Sequence, residues 1–255
     1  MQLDNRLHRY IFTTLGVFFL LLCWQILSIT MPDIVLASPV ETARALARMM
    51  GTGIFWQHFR VTGSRVFTGV FIGGLAGFVI GIFGGLNKSV KYMLEPFRWT
   101  LMSTPAVVIV VMAMLWFGMG STMVVFITAI FLAPFVYVNV VKGLEMVDET
   151  VIEMAQIYNF PFSLKLKHVY VPAIAGHLAS SLMVIVGTGV RIVILAEVLG
   201  TTEGIGYALS LSRTNLDIPA LFAWILICIA LVGIIEYVIL KPLQDYVLKW
   251  KKPTR

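Results

Sequence analysis

Three charged residues interrupt long apolar runs of this chain: Arg191, Glu197 and Glu236. A charge inside a bilayer is costly, so such side chains face the protein interior or water and usually have partners. The guanidinium of Arg191 can hold a carboxylate or a sulfonate-like anion through two hydrogen bonds. Two interpretations of Arg191 stay open: an ion pair with Glu236 or Glu197, or contact with an anionic ligand.

Glu197 lies near the end of its apolar run, shortly before Gly200. Arg191 precedes it by six residues, which is about 120° around a helix, so a direct pair between the two is awkward. Glu197 is interpreted either as a hydrogen-bond hub that holds residues 201–207 or as a gate or docking residue for an outer partner.

The apolar runs that contain these charges are predicted to be membrane-spanning helices. Residues of the set AVILMFWYC make up 59% of the 255 residues and charged residues 13%, and the mean hydropathy is +0.91. Soluble domains contain about 45–50% apolar and about 25% charged residues, so a cytosolic globular enzyme is excluded. Six apolar runs are close to the ~20 residues that a helical span needs and predict an all-α membrane protein with six transmembrane helices. The runs are residues 11–29, 66–86, 102–119, 123–141, 174–199 and 221–240.

The basic residues predict how these spans are oriented. Of the 19 Lys and Arg residues, 13 fall on the side of the N-terminus, 5 on the opposite side, and Arg191 within a span. Because Lys and Arg concentrate in cytoplasmic loops, both termini are predicted to be cytoplasmic. The net charge of +6 is thereby explained without a nucleic-acid partner.

Three features are expected to shape the helices. Ser38, Pro39 and Glu41 predict the start of an amphipathic helix on the outer membrane surface, since they suit the N-cap, first position and first turn. Pro105 interrupts the third span and suits either a hinge or a packed kink. A row of glycines at four-residue intervals predicts close packing of the second span, within the chain or against a second copy. The row is Gly69, Gly73, Gly77, Gly81 and Gly85.

The segment of about 142–172, between the fourth and fifth spans, is too long for a simple connector. Acidic residues precede its first predicted helix and stabilise the positive N-terminal end of that helix. Asn159 is expected to end the helix because Asn tolerates the left-handed conformation. Phe160, Pro161 and Phe162 then turn the chain. A solvated surface helix with a capped end is the plain alternative to a functional segment.

This segment resembles the EAA loop of permease subunits in binding-protein-dependent ABC importers. That motif reads E-A-A, three residues, G, nine residues, then I-x-L-P. The chain keeps the motif at Glu153, Ala155, Val169, Val171 and Pro172. It departs from the motif at two positions, Met154 for Ala and Asn159 for Gly.

Further segments resemble the branch of that family that transports sulfonates, taurine, nitrate and the pyrimidine precursor of thiamine. They are Ala37-Ser38-Pro39, Ser64-Arg65-Val66, Leu115-Trp116-Phe117-Gly118, Ala196-Glu197-Val198-Leu199-Gly200, Gly204-Ile205-Gly206-Tyr207 and Lys249-Trp250-Lys251. The resemblance covers residues from about 24 to 250. Branch members often carry a second proline where this chain has Val111, so a kink in the third span is expected to be missing or shifted.

The resemblance implies a type I ABC importer permease fold in a multi-pass inner-membrane protein. It implies a homodimer that assembles with two cytoplasmic ATPases, which bind ATP and Mg, and with an external substrate-binding protein. No cofactor is expected in this chain. The implied domains are an N-terminal segment of residues 1–57 with the first span and the outer helix, a type-1 transmembrane domain of residues 58–242, and a basic cytoplasmic tail of residues 243–255.

The implied site residues form two sets. Those expected to couple to the ATPase are Glu149, Glu153, Met154, Ala155, Asn159, Phe160, Pro161 and Phe162. Those expected in a substrate pathway or gate are Arg191, Glu197, Glu236, Pro105 and Trp116.

The expected function is import of a small anion, such as a sulfonate, taurine or nitrate, by alternating access coupled to the partner ATPases. Uptake of a thiamine pyrimidine precursor, an ion-coupled secondary transporter, and a membrane-embedded enzyme or scaffold remain alternatives. The chain contains no G-x-x-x-x-G-K-[ST] motif for ATP, and its four histidines show no metal-ligand spacing. A transport subunit is therefore expected rather than an enzyme.

Overall fold

The structure, a computed structural model, describes residues 2–242, without the side chains at 2–7, 9, 10, 149, 152, 156, 162, 166, 180 and 239. The predicted tail of residues 243–255 lies outside the described residues. All regular elements of the described chain are helical. They are α1 (Gln2–Thr30), α2 (Pro39–Met50), α3 (Gly53–Leu86), α4 (Lys88–Ser103), α5 (Ala106–Phe117), α6 (Ser121–Glu145), α7 (Glu149–Ile157), α8 (Phe162–Lys165), α9 (Val171–Gly200), α10 (Ile205–Thr214) and α11 (Ile218–Ile234), with π-helical segments Leu166–Tyr170 and Ile235–Leu240.

Five of the described helices are long and apolar enough to cross a membrane, and a bent pair supplies a sixth candidate. The prediction of six spans is therefore met only if α4 and α5 together count as one. These two helices meet at an angle of 101°, and Pro105 stands at the break as the N-cap of α5. The interruption predicted at Pro105 is confirmed, because proline has no N–H to continue the helix, and the apolar run of residues 102–119 is divided between the end of α4 and α5. Val111 lies within α5, so the break of this span is at Pro105.

The described residues form two compact units, residues 2–57 with 208–228 and residues 58–207 with 229–242. In the first unit, the Trp24 indole donates to the Ala37 carbonyl at 3.0 Å, and the Phe55 ring stacks on Trp224 at 5.5 Å. The predicted start of α2 is confirmed. Ser38 is its N-cap, and the Ser38 hydroxyl accepts from the Glu41 N–H while the Glu41 carboxylate accepts from the Ser38 N–H.

The second unit is built around α6, against which α3, α5 and α9 pack. Its core contains apolar side chains from these helices, among them Val66, Val110, Ile127 and Val193. The glycine face of α3 lies directly on α6. A Cβ atom added at Gly73 would come within 2.6 Å of the Ala129 carbonyl oxygen, and one added at Gly69 within 2.6 Å of the Thr128 Cβ. Gly77, Gly81 and Gly85 continue this contact, so the glycines pack within the chain.

Candidate functional site

The segment between α6 and α9 folds as a short helical hairpin. Asp148 opens it, since its carboxylate Oδ1 accepts from the N–H of Thr150 at 2.9 Å and from the Thr150 hydroxyl at 2.8 Å. These two hydrogen bonds favour the charged form and lower the pKa of the exposed Asp148 carboxyl. A carboxylate at this position also stabilises the N-terminal end of α7.

Asn159 ends α7 in the left-handed conformation, with φ of 49°, as predicted. The Phe160 N–H donates to the Ala155 carbonyl at 2.9 Å, which is the hydrogen bond that closes a helix of this type. Ala155 is buried, because its small side chain lies on the inner face of the hairpin. Asparagine therefore performs the turn that glycine performs in the EAA motif.

The outer face of the hairpin is apolar and exposed. Met154, Ile157 and Tyr158 are 45%, 77% and 69% exposed, and Glu153 and Pro161 are exposed beside them. The Phe160 ring lies 6.2 Å from that of Tyr158, at the tip of the turn. The side chains of Glu149 and Phe162 lie outside the described part of the chain. An exposed apolar patch at the end of two long helices suits a protein partner.

A buried network surrounds Glu197 near the end of α9. The Glu197 side chain is fully buried, and its carboxylate forms an ion pair with the Arg65 guanidinium at 2.7 Å. It also accepts from the Thr62 hydroxyl at 2.9 Å and from the Gly206 N–H at 2.9 Å. A buried carboxylate needs such partners because it has lost its hydration.

The same network holds the connection from α9 to α10. Arg65 donates to the Glu203 carbonyl at 2.8 Å and to the Ser121 hydroxyl at 3.0 Å, and the Thr62 hydroxyl accepts from the Ile205 N–H at 2.8 Å. Gly204 adopts φ of 107°, and a Cβ atom there would run into the Glu197 carboxylate. Glu197 therefore occupies the hydrogen-bond hub that was one of its two interpretations, and it joins residues 201–206 to α3.

Arg191 lies on a different face of α9 and pairs with Glu236. The guanidinium Nη2 is 3.1 Å from the Glu236 carboxylate, and the two side chains are 61% and 30% exposed. Of the two partners expected for Arg191, the structure selects Glu236. The pair opens into a polar cavity of about 470 Å³ that Thr188 and Lys241 also line.

The structure separates the remaining predicted pathway residues from this cavity. Pro105 lies at the break between α4 and α5. The Trp116 ring is 63% exposed near the end of α5 and contacts Phe126 edge-on at 6.2 Å. The five predicted pathway residues therefore occupy three places in the second unit: the buried hub, the polar cavity and the α4–α5 pair.

Sequence reasoning missed the partners of the two acids. Arg65 is one of the five basic residues that the charge count places on the outer side, but it lies within α3 and is buried. Thr62 and Ser121 carry no signal in the sequence that would link them to Glu197. Lys241 is one of the 13 basic residues that the charge count places on the side of the N-terminus, and its spacing of five residues from Glu236 does not predict a shared face of an α-helix.

The described residues offer no metal centre, since they contain no group of three His, Cys, Asp or Glu side chains that could hold an ion. Cys23 and Cys228 are not joined in a disulfide.

Comparisons with known proteins agree with this geometry. A sequence model of the family described as "Binding-protein-dependent transport system inner membrane component" matches residues 73–251. A permease of Bacillus subtilis named for aliphatic sulfonates transport is 25% identical over 217 residues, which cover 85% of this chain and 78% of that protein.

Two other relatives carry different names. The taurine transport system permease protein TauC of Escherichia coli is 25% identical over 76% of this chain and 70% of its own length. The formylaminopyrimidine transport permease protein ThiX of Halalkalibacterium halodurans is 24% identical over 94% of this chain and 95% of its own length.

The fold is similar to that of a solved transporter. A chain of the MetNI methionine ABC transporter, in an inward-facing conformation, superimposes with a TM-score of 0.66 at 16% sequence identity. The match covers 76% of this chain and 97% of that chain.

Proposed function

Because this chain belongs to the family of binding-protein-dependent transport system inner membrane components, we propose that it forms the translocation pathway for a small organic or inorganic anion. It is a permease subunit of an ABC importer with the type I permease fold, a transport subunit and not an enzyme. It is a multi-pass protein of the inner membrane. The proposed substrates are sulfonates, taurine or nitrate.

One observation carries the anion proposal: the Arg191 side chain is 61% exposed within a candidate span. A permanent charge in that position needs water or a protein surface in front of it rather than lipid. A water-lined pathway between permease subunits supplies that environment. The names of the sulfonate and taurine relatives support an anion.

The helical hairpin of α7 and α8 is proposed as the docking point for a cytoplasmic ATPase. Its exposed Met154, Ile157 and Tyr158 suit insertion into a cleft of a protein partner, and Glu153 beside them adds a charged contact. The full assembly proposed is two permease copies, two ATPases that bind ATP and Mg, and one external binding protein. Both termini of the chain are proposed to be cytoplasmic.

The roles of the other site residues follow from their places. Glu197 is proposed to act at the outer gate by fixing residues 201–206, where a binding protein would dock. Pro105 and Trp116 are proposed to belong to the moving part of the pathway, since the α4–α5 break leaves a hinge between two short helices. The transmembrane domain is proposed to span residues 58–242.

The proposal is tested by ATP hydrolysis of the purified complex of permease, ATPase and binding protein. Binding protein loaded with taurine or an alkanesulfonate is expected to stimulate hydrolysis several-fold over unloaded binding protein. Stimulation by a hydroxymethylpyrimidine instead would favour the thiamine-precursor alternative, which the long match to ThiX supports. A chain that transports alone, driven by an ion gradient, would contradict the proposal.

A further inference from the structure

One stripe of α9 combines apolar, hydroxyl and cationic side chains. Val184, Thr188 and Arg191 follow at four- and three-residue intervals, so they share one face of the helix. All three line the polar cavity of about 470 Å³, together with Met183, Glu236 and Lys241. The cavity therefore offers a cationic end and an apolar wall.

Arg191 enters this cavity with most of its hydrogen-bonding capacity unused. Its guanidinium has five N–H donors, and among the described residues its hydrogen bond is the single one to Glu236 at 3.1 Å. A planar fork with open donors suits a sulfonate, carboxylate or nitrate, which accept two parallel bonds.

The Glu236 carboxylate lies against Gly187 of α9. A Cβ atom at Gly187 would overlap the Glu236 carboxylate oxygen, so in this arrangement the carboxylate lies directly against the glycine of α9. Gly187 lies one helical turn before Arg191. The carboxylate therefore lies against α9, beside the guanidinium, and the Arg191 side chain stays 61% exposed toward the cavity.

The π-helical segment Ile235–Leu240 brings Lys241 to the same face as Glu236. The Lys241 N–H donates to the Glu236 carbonyl, which is the five-residue spacing of a π-helix. In an α-helix, two residues at this spacing would lie about 140° apart. The wider turn aligns them, and it places the Lys241 ammonium 5.6 Å above the Tyr237 ring.

Resting on the proposed function, we propose that this cavity is a binding site for a monovalent anion with a short apolar tail. Arg191, Lys241 and Thr188 bind the anionic head, and Val184 and Met183 contact the tail. Glu236 is the counter-ion of the empty site. The site carries one more positive than negative charge, which a sulfonate-type monoanion neutralises.

The counter-ion explains how the site can bind and release its ligand. An unpaired guanidinium inside a membrane protein is costly, and Glu236 neutralises it when no ligand is present. An entering anion takes over the guanidinium donors. Glu236 recovers them when the anion leaves, so competition from Glu236 limits how tightly the anion is held.

Direct binding tests the site separately from transport. The probe is radiolabelled ethanesulfonate, measured by equilibrium binding to the purified permease–ATPase complex in nanodiscs of phosphatidylcholine. Wild-type complex is expected to bind ethanesulfonate but not ethanesulfonamide, which has the same tail without the charge. Arg191→Ala is expected to weaken binding at least tenfold, and Glu236→Gln, which removes the competing charge, to strengthen it several-fold.

Matched variants at a second ion pair control for nonspecific charge effects. Lys91 and Glu145 form an exposed pair at 2.5 Å, so Lys91→Ala and Glu145→Gln are expected to leave ethanesulfonate binding unchanged. Size-exclusion chromatography checks that each complex assembles, and Arg191→Lys replaces Arg191→Ala if the latter does not. The lysine keeps a charge but loses the fork, and an intermediate affinity is expected.

Three results would overturn the site. The first is absence of ethanesulfonate binding to the wild type, and the second is equal weakening by Arg191→Ala and Glu236→Gln, which would make the pair purely structural. The third is displacement of ethanesulfonate by added phosphatidylglycerol, which would assign the site to lipid phosphate. Binding without ATP-driven anion uptake would leave the site standing and contradict the proposed function instead.

Discussion

Glu197→Ala removes the acceptor at the centre of the buried network. Three donors lose it: the Arg65 guanidinium, the Thr62 hydroxyl and the Gly206 N–H. Arg65 keeps its bonds to the Glu203 carbonyl and to the Ser121 hydroxyl, but its charge has no counter-ion within the network. The connection from α9 to α10 keeps its hydrogen bonds to Arg65 and Thr62 but loses the one that holds the Gly206 N–H.

The size of the effect follows from burial. Glu197 is fully buried and Arg65 is 5% exposed, and breaking a buried pair from one side costs about 3–5 kcal/mol. For a domain of this length, each kcal/mol lowers the melting temperature by roughly 2–4 °C. We therefore expect Glu197→Ala to lower the melting temperature by about 6–20 °C.

The assay is thermal unfolding of the purified permease in detergent, followed by intrinsic tryptophan fluorescence. Glu145→Ala is the matched control, because Glu145 and Lys91 are 48% and 34% exposed and an exposed pair contributes about 0–1 kcal/mol. Replacing both Arg65 and Glu197 by Met is expected to recover most of the loss, since apolar groups need no counter-ion. Equal, small shifts for Glu197→Ala and Glu145→Ala would refute the reasoning.

Three further predictions concern α3 and the hairpin. Gly73→Ala is expected to destabilise the permease by about 1–3 kcal/mol through overpacking. Gly74→Ala is the control and is expected to be neutral, because its added Cβ would lie 3.7 Å from its nearest neighbour. Equal melting temperatures of the two variants would be inconsistent with the packing of α3 on α6. Glu153→Lys is expected to prevent assembly with the ATPase, measured by co-purification, or to uncouple ATP hydrolysis from uptake, measured by the ratio of ATP consumed to substrate imported. Normal values of both would count against the docking role of the hairpin. Because the pKa of Asp148 is lowered, its stabilisation of α7 is complete above the ordinary Asp pKa and is lost as the pH falls through the lowered value. Thr150→Val removes the hydroxyl donor and is expected to raise the titration midpoint of the Asp148 carboxyl, measured by NMR. An unchanged midpoint would contradict the hydrogen-bond assignment.

Local signals predicted local structure well. Ser38 and Glu41 indicate the start of α2 and Asn159 the end of α7 through side-chain chemistry that acts within a few residues, and the structure has both helix ends there. The glycine row of α3 predicted close packing of this helix against another, and the structure identifies α6 as the neighbour. The long apolar runs likewise predicted the C-terminal ends of the membrane helices within several residues, but α3 begins at Gly53, well before residue 66.

Long-range pairing was beyond the sequence. Arg65 and Glu197 are separated by 132 residues, and no local pattern distinguishes Arg65 from an outer-loop charge, although it lies within α3, which begins at Gly53. The bend at Pro105 was indicated by the proline, but its size of 101° depends on packing that no local pattern encodes. For Arg191, the sequence offered Glu236 and Glu197 as possible ion-pair partners, and the structure pairs it with Glu236.

The most direct test of the account is uptake of radiolabelled taurine or ethanesulfonate by proteoliposomes that contain the permease and its ATPase, with binding protein outside. We predict uptake that requires ATP inside the vesicles and binding protein outside, and that falls at least tenfold with Arg191→Ala. Uptake of these anions that proceeds without ATP, or an Arg191→Ala variant that imports them at the wild-type rate, would contradict the account.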